Sequence, residues 1–106
     1  MKFVVKLGGA ALEDKKLLDL AGKAIHDLVQ DGHQVAVVHG GGVQLTRTLA
    51  QMGKKSEFVS GLRVTDAETR DAALMVLAGR VNKSLVAACE DHERGVAGLG
   101  LSLIHI

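Results

Sequence analysis

Two short stretches decide the fold: FVVKLGG at residues 3–9 and VAVVHGGG at residues 35–42. Each begins with a run rich in β-branched residues, which favour strands, and ends in glycines, which favour a tight loop. Neither run alternates apolar with polar residues, and this pattern is typical of central strands in a parallel sheet that is covered on both faces. We therefore expect an α/β fold with a glycine loop after each of two strands.

An amphipathic helix is predicted between these strands. One apolar stripe recurs at helical spacing and consists of Leu17, Ala21, Ala24 and Leu28, and Leu18, Ile25 and Val29 lie beside it. Asp14 is a candidate N-cap and Gly32 a candidate stop at the other end. Strand, helix and strand together form a βαβ unit, whose crossover is expected to be right-handed.

Two more helices are predicted further along the chain. The second covers Val43 to Met52 and is followed by Gly53, a typical stop. Residues 65–68 read Thr-Asp-Ala-Glu and fit a capping box, in which a Ser or Thr is followed three residues later by Glu. A third helix is therefore expected to start there.

The third helix is expected to reach about Glu93, with a bend at Gly79. Its stretch Leu74–Ala78 is apolar on every face, so we expect cover on both sides, from the rest of the protein or from a second subunit. Val96–Leu101 is predicted to form a third strand.

The composition excludes several classes of function. Thirteen Lys and Arg stand against 12 Asp and Glu in 106 residues, for a net charge of +1, and the signs are interspersed. We therefore expect no basic patch for nucleic acid. Aromatic residues make up 2%, too few for base-stacking platforms. Cys89 is the only cysteine, which excludes an internal disulfide and a cysteine cluster for zinc.

Membrane association and export are not expected either. No apolar run reaches the length of a bilayer span. Lys6 interrupts the apolar residues near the start of the chain before the core of a signal peptide can form. The expected location is the cytoplasm.

The glycine loops are candidate anion sites. In open α/β sheets ligands bind beyond the carboxyl ends of the strands, where Gly8-Gly9 and Gly40-Gly41-Gly42 are expected. Glycine lets backbone N–H groups approach an anion, and a following helix adds a positive dipole. The chain has neither G-x-x-x-x-G-K-[ST] nor G-x-G-x-x-G, so a P-loop and a dinucleotide site are disfavoured.

Several polar side chains could complete such a site. Lys6 could hold a phosphate at the sheet edge, or its long stem could simply reach water. Arg63 could clamp a carboxylate with its planar fork, or it could be a solvated loop residue. His39 is expected to be a hydrogen-bonded strand-end histidine rather than a ligand or base. Asn82 and Lys83 lie on a helix and stay ambiguous.

Four motifs resemble the acetylglutamate kinases of the amino acid kinase superfamily. They are VVKLGGA at 4–10, VVHGGG at 37–42, GLRVT at 61–65 and LAGRVNK at 77–83. All four occur in order, and the resemblance covers residues 2–102. It implies a three-layer αβα sandwich with a mainly parallel sheet, of which residues 1–102 are the N-terminal half that binds the amino-acid substrate.

The resemblance also implies a reaction and a set of roles. ATP phosphorylates the side-chain carboxylate of N-acetyl-L-glutamate, a step of arginine biosynthesis. Lys6 matches the lysine that stabilises the transferring phosphoryl group, and Gly9 matches a backbone contact to the nucleotide phosphates. Gly41 and Gly42 match substrate-binding glycines, and Arg63 matches the arginine that holds the substrate α-carboxylate. Mg²⁺ accompanies ATP, and a homodimer forms through the third helix.

Two features differ from the family pattern. The family is far longer, so the 106 residues alone are expected to be inactive. The family usually continues Gly-Leu-Ser with Gly-x-Asp, whereas residues 103–106 read Leu-Ile-His-Ile and are expected to be a non-native or truncated end. Two alternatives stay open: a kinase for carrier-linked aminoadipate, and a non-catalytic anion-binding or regulatory module built from the same half-fold.

Overall fold

A parallel pair of strands forms the centre of the computed structural model, which describes residues 1–92 and 95–99. β1 (Lys2–Leu7) pairs with β2 (Gln34–His39), and Leu7 stands opposite His39. The other helices and strands before residue 64 are α1 (Gly9–Glu13), α2 (Lys15–Gln30), α3 (Gly42–Gln51), β3 (Phe58–Val59) and β4 (Leu62–Arg63). They are followed by one long helix, which is composed of α4 (Ala67–Ala73), a π-helical segment (Leu74–Val81) and α5 (Asn82–Glu90). The predicted parallel strands with a helix between them are confirmed.

Helix α2 begins and ends where the sequence predicts. The Asp14 carboxylate accepts hydrogen bonds from the backbone N–H groups of Lys16 at 2.8 Å and Leu17 at 3.3 Å. These bonds satisfy two donors that the start of a helix leaves without partners. Gly32 follows the last turn with a φ of 88°. The five-residue helix α1 is not predicted, because five residues are too few to show helical periodicity.

One face of the β1–β2 sheet is covered and the other is open. The covered face packs against α2 and α5 in a cluster that contains Leu7, Val35, Val37, Ile25, Leu85 and Cys89. On the other face Val4 is 75% exposed and Val38 is 53% exposed. The described residues therefore cover one face of the sheet and form only part of an αβα sandwich; cover for the second face is left to residues outside this part of the chain.

A second core cluster joins α3 to the long helix. It contains Leu45, Leu49, Ala72, Ala73, Val76 and Val81. Leu49 is 1% exposed and is the largest fully buried side chain among the described residues. This cluster fixes α3, and with it the glycine loop at the start of α3, against the long helix.

The long helix Ala67–Glu90 changes its winding in the middle. Buried residues lie four apart at Ala72 and Val76, and four apart again at Val81, Leu85 and Cys89. The step between the two sets is five residues, and the i→i+5 bonding of the π-helical segment absorbs the extra one. Both halves of the helix therefore keep their apolar side towards the core.

The structure gives the end of this helix and shows how far the described residues cover its apolar stretch. Gly79 lies within the π-helical segment, and the helix continues past it to Glu90, three residues short of the expected end. The stretch Leu74–Ala78 is covered on one side only, since Leu74 is 45% exposed and Met75 is 61% exposed. The described residues of this chain do not supply a second cover.

The helix Ala67–Glu90 is long and apolar enough to cross a membrane, with 24 residues and a mean hydropathy of 1.4 in its most apolar part. The helix passes this test by length and average composition although polar and charged residues such as Arg80 and Asn82 interrupt its apolar residues. The helix packs against α2 and α3 through its buried residues. We therefore interpret it as a core helix.

The expected third strand is not formed by residues 96–99, and residues 100 and 101 lie outside the described part of the chain. A strand needs a neighbour that pairs with its backbone groups. Val96 instead packs on the core cluster below the sheet, and the carbonyl oxygen of Gly98 accepts a hydrogen bond from the Lys83 ammonium at 3.1 Å. The expectation for residues 103–106 also lies outside the described residues.

Asp66, rather than Thr65, caps helix α4. The Asp66 carboxylate accepts a hydrogen bond from the N–H of Thr69 at 2.8 Å and another from the ammonium of Lys54 at 2.6 Å. The Thr65 hydroxyl donates to the carbonyl oxygen of Arg63 instead. The predicted cap is therefore displaced by one residue, and it is part of an ion pair.

Asp66→Asn is expected to make the stability of the fold less sensitive to acid. The Lys54 ammonium and the Thr69 N–H hold the pKa of the Asp66 carboxyl well below its usual range. A carboxyl whose pKa is lowered by folding stabilises the fold above its unfolded pKa of about 3.9, and this contribution is lost as the pH falls further. Asparagine keeps an acceptor for the cap but not the charge. The thermal midpoints of parent and variant, followed by circular dichroism, should differ most near neutral pH and converge in acid.

Candidate functional site

The two glycine loops lie side by side at the carboxyl ends of β1 and β2. The N–H of Gly40 donates to the carbonyl oxygen of Leu7 at 3.4 Å. A Cβ placed on Gly9 would lie 3.6 Å from the Val43 side chain, at the start of α3. The prediction that both loops meet at one edge of the sheet is confirmed.

Open space lies beside three of the loop glycines. A Cβ built on Gly8, Gly40 or Gly42 would have no described heavy atom within 4 Å. Gly42 is also the first residue of α3, and the first N–H groups of a helix have no acceptor within it. An anionic oxygen can reach these N–H groups, and the positive end of the helix dipole favours it.

Gly41 is required by the geometry of the backbone. Its φ of 155° is one that residues with side chains rarely adopt, and a Cβ there would lie 2.5 Å from a methyl group of Leu77 and 3.3 Å from one of Val81. The loop is therefore pressed against the π-helical segment at this residue. This contact fixes the position of the loop relative to the second core cluster.

Lys6 lies on the open face of the sheet. It stands opposite Val38 in the strand register. Its side chain is exposed, and among residues 1–92 and 95–99 its ammonium has no hydrogen-bond or ion-pair partner. An ammonium in this position can reach water, and it can equally meet an anion that binds on the open face.

Arg63 is held against the glycine loop. Its Nη2 atom donates to the carbonyl oxygen of Gly42 at 3.1 Å and to the hydroxyl of Thr46 at 2.8 Å. Its Nη1 atom donates to the hydroxyl of Ser56 at 2.7 Å, and the guanidinium carbon lies 4.7 Å above the centre of the Phe58 ring. These contacts exclude a freely solvated loop arginine.

Burial lowers the pKa of the Arg63 guanidinium. Its described bonds use three of the five N–H donors that a guanidinium carries. The remaining donors are suited to a carboxylate.

The hairpin β3–β4 positions Arg63. Ser60 and Gly61 have φ values of 51° and 79°. Two consecutive positive values form a type I′ turn, whose twist matches that of the flanking strands. The turn pairs Arg63 with Phe58 across the hairpin, which accounts for the stacking of the guanidinium on the ring.

Sequence reasoning missed the side chains that hold Arg63. Thr46 lies four residues after Gly42, which is one helical turn, so the predicted helix α3 could have indicated it. Ser56 lies in a loop, and nothing in the local sequence distinguishes it.

His39 is a hydrogen-bonded histidine at the end of its strand, as predicted. Its Nδ1 atom lies 2.8 Å from the carbonyl oxygen of Gly40, and its Nε2 atom lies 3.1 Å from the Asn82 amide nitrogen.

The structure brings together some of the predicted site residues. Gly41, Gly42 and Arg63 form one contiguous group at the start of α3. Lys6 and Gly9 lie on the adjacent strand and loop, and no described contact joins them to Arg63. The arrangement suits an anion with at least two charged groups. The described residues contain no cluster of His, Cys, Asp or Glu able to hold a metal ion.

Comparison with known proteins identifies the fold. The model of the "Amino acid kinase family" matches residues 1–101. The chain is 71% identical over 102 residues to an acetylglutamate kinase from Acidobacterium capsulatum, which covers 96% of this chain and 38% of that protein. It is 51% identical over 106 residues to an acetylglutamate kinase from Koribacter versatilis, which covers 100% of this chain and 41% of that protein.

A further relative shows a similar match. An acetylglutamate kinase from Methanoregula boonei is 47% identical over 102 residues and covers 93% of this chain. The chain spans between 33% and 41% of the length of these three relatives. Because the family model covers almost all of its residues, the chain belongs to the amino acid kinase family.

Proposed function

We propose that the complete protein transfers a phosphoryl group from ATP to the side-chain carboxylate of N-acetyl-L-glutamate, in arginine biosynthesis. The observation that carries this proposal is the placement of Arg63, whose guanidinium is bonded to Gly42 and Thr46 at the start of α3. This placement sets a carboxylate clamp beside backbone N–H groups that suit a second anionic oxygen. The names of the relatives support the choice of substrate.

Substrate binding is assigned to Arg63, Gly41 and Gly42. The remaining N–H donors of Arg63 bind the α-carboxylate, which is present before and after transfer. The N–H group of Gly42, which has open space beside it, and that of Gly41 would bind a further oxygen of the substrate. These groups are fixed before substrate arrives, since the core holds Gly41 and the hairpin holds Arg63.

Phosphate binding is assigned to Lys6 and Gly9. The open face beside Lys6 and the open space beside Gly8 leave room for the phosphates of ATP. Mg²⁺ bound with ATP would shield part of the phosphate charge. Lys6 then lies over the transferring group as a point charge. The N–H of Gly9 binds a phosphate oxygen of the nucleotide.

The reaction needs no covalent intermediate with the protein. One oxygen of the substrate carboxylate attacks the γ-phosphorus, the bond to the β-phosphate oxygen breaks, and ADP leaves with that oxygen. N-acetyl-L-glutamyl 5-phosphate is the other product. Catalysis then consists of positioning and of stabilising charge, which suits a site made of cations and N–H groups.

The complete protein is proposed to be a cytoplasmic homodimer. Leu74 and Met75 leave an apolar strip exposed on the long helix, and a second copy of the same helix would cover it. No nucleic acid or membrane is part of the proposal. Sedimentation that shows only a concentration-independent monomer of the complete protein would contradict the dimer.

The proposal is tested with a chimaera in which this chain replaces the segment of the Acidobacterium capsulatum protein that it matches. We expect the chimaera to form acyl phosphate from ATP and N-acetyl-L-glutamate, trapped by hydroxylamine. Carrier-linked aminoadipate should give no product. Turnover with aminoadipate alone would favour the aminoadipate kinases, and no turnover with either would favour a non-catalytic anion-binding module.

Arg63→Ala in the chimaera is expected to raise the KM for acetylglutamate by about 10- to 100-fold, the range for one lost charge-assisted interaction. The kcat should fall less, because the α-carboxylate is bound equally in ground and transition states. Arg70→Ala is the matched control, since Arg70 is an exposed arginine on α4 whose described ion pair is with Asp71, outside the proposed site. Equal effects of the two variants on KM would contradict the assignment.

A further inference from the structure

A chain of hydrogen bonds joins the long helix to the glycine loop. The ammonium of Lys83 donates to Oδ1 of Asn82 at 3.0 Å, and Nδ2 of Asn82 lies 3.1 Å from Nε2 of His39. Nδ1 of His39 lies 2.8 Å from the carbonyl oxygen of Gly40. Lys83 also donates to the carbonyl oxygen of Gly98 at 3.1 Å. The reaction proposed above assigns no role to Lys83, Asn82 or His39.

The groups at the two ends of this series of hydrogen bonds determine which atom donates in every bond between them. A carbonyl oxygen only accepts, so Nδ1 of His39 carries the proton that bonds Gly40. An ammonium only donates, so the Asn82 amide must turn its oxygen towards Lys83 and its NH₂ group towards His39. Nε2 of His39 is then an acceptor, and the ring is the neutral tautomer with its proton on Nδ1. The donors and acceptors of the hydrogen-bond series therefore have one consistent arrangement, in which each group donates in the direction from Lys83 to Gly40.

Asn82 is well placed to anchor this arrangement. It is 8% exposed and is the first residue of α5, directly after the π-helical segment. Gly98 approaches it so closely that a Cβ there would overlap Oδ1 of Asn82. The amide is therefore enclosed by the helix, the Gly98 segment and the His39 ring. A buried amide without partners would be costly, so the site favours the bonded orientation.

The glycine loop needs such an anchor. Three consecutive glycines have more backbone freedom than any other tripeptide, and this freedom must be removed before their N–H groups can point at one ligand. Packing against Leu77 and Val81 fixes Gly41, and Arg63 fixes the carbonyl of Gly42. The His39 ring supplies the corresponding bond to the carbonyl of Gly40.

We propose that Asn82 is a positioning residue that acts through His39 to hold the Gly40 carbonyl, and thereby aims the N–H groups of Gly41 and Gly42 at the substrate. The inference rests on the proposed function for the identity of that substrate. Asn82 touches neither substrate nor nucleotide in this scheme. Its effect therefore falls on the binding of acetylglutamate and spares the binding of ATP.

The kinetic test uses Asn82→Leu, which keeps the volume and removes the amide, together with His39→Asn and the double variant in the chimaera. Asn82→Leu is expected to raise the KM for acetylglutamate by about tenfold, the effect of one lost buried hydrogen bond, with the KM for ATP unchanged. If Asn82 acts through His39, the double variant should be no worse than the more impaired single variant. Ser84→Ala is the matched control on the same helix, and it should leave both KM values unchanged.

A second measurement does not depend on turnover. Hydrogen exchange of the substrate-free chimaera should become faster in the peptide that contains residues 39–42 when Asn82 is replaced by Leu. A peptide from α2 should keep its rate, which separates loosening of the loop from general destabilisation. Unchanged exchange in the loop, or KM effects that add in the double variant, would overturn the inference. A parent chimaera without turnover would overturn the proposed function alone, since the exchange result would still decide the role of Asn82.

Discussion

Lys6→Ala is expected to lower the kcat of the chimaera by about 10²-fold or more, while the KM for acetylglutamate changes little. Negative charge on the transferring phosphoryl group and its neighbouring oxygens must be stabilised as the bond to ADP breaks. The Lys6 ammonium has no described partner within the chain that would hold it elsewhere. Its stabilisation is therefore available to the transition state.

Lys2→Ala provides a matched control for this experiment. Lys2 and Lys6 lie on the same strand and point to the same face, because side chains alternate along β1. They are four residues apart, so Lys2 lies about 13 Å from Lys6, at the end of the strand away from the glycine loops. Lys2→Ala should leave kcat unchanged. A Lys6→Ala variant that raises KM and preserves kcat would assign Lys6 to ground-state binding instead.

The 106-residue chain alone is expected to form no acyl phosphate from ATP and acetylglutamate. It carries Lys6 and Arg63, but no described element lies over the open face of the sheet to hold the nucleotide in line with the carboxylate. A displacement of about 1 Å at the reacting atoms can already cost about 10²-fold. The relatives that it resembles are more than twice as long, since the chain covers 38% of one and 41% of another.

The same open face predicts a physical property of the isolated chain. Val4 and Val38 are 75% and 53% exposed on it. Such a surface binds hydrophobic dyes and favours association. We expect the isolated chain to bind anilinonaphthalene sulfonate more strongly than the chimaera, in which that face has cover. Turnover by the isolated chain at the rate of the chimaera would contradict both the expected inactivity and the expected need for cover over the open face. The 106 residues would then suffice for catalysis.

Local signals in the sequence predicted the elements that form the site. β-Branched runs followed by glycines located both strands and both loops, and Asp14 and Gly32 located the ends of α2. These features depend on the conformational preferences of a few adjacent residues, which a sequence displays directly. The expected αβα architecture agrees with the partial α/β fold and the family match.

The features that sequence reasoning missed depend on residues far apart in the chain. The partners of Arg63 come from α3 and from the loop before the hairpin, and the partner of His39 lies 43 residues away. No local pattern specifies such contacts. The displaced cap has a similar cause, since Asp66 gains an ion pair with Lys54 from an earlier loop. The role assigned to Lys6 remains a prediction.

The π-helical segment gives the long helix one position where its length can change while both sets of buried residues keep their side towards the core. Removing a residue between Val76 and Val81, such as Gly79, would leave the two buried valines four apart and convert the segment into ordinary α-helix. Removing one from α5 would instead turn the residues beyond it by about 100° and take Cys89 out of the core. Single-residue deletions, and the insertions that reverse them, should therefore accumulate here among natural variants rather than elsewhere in the helix.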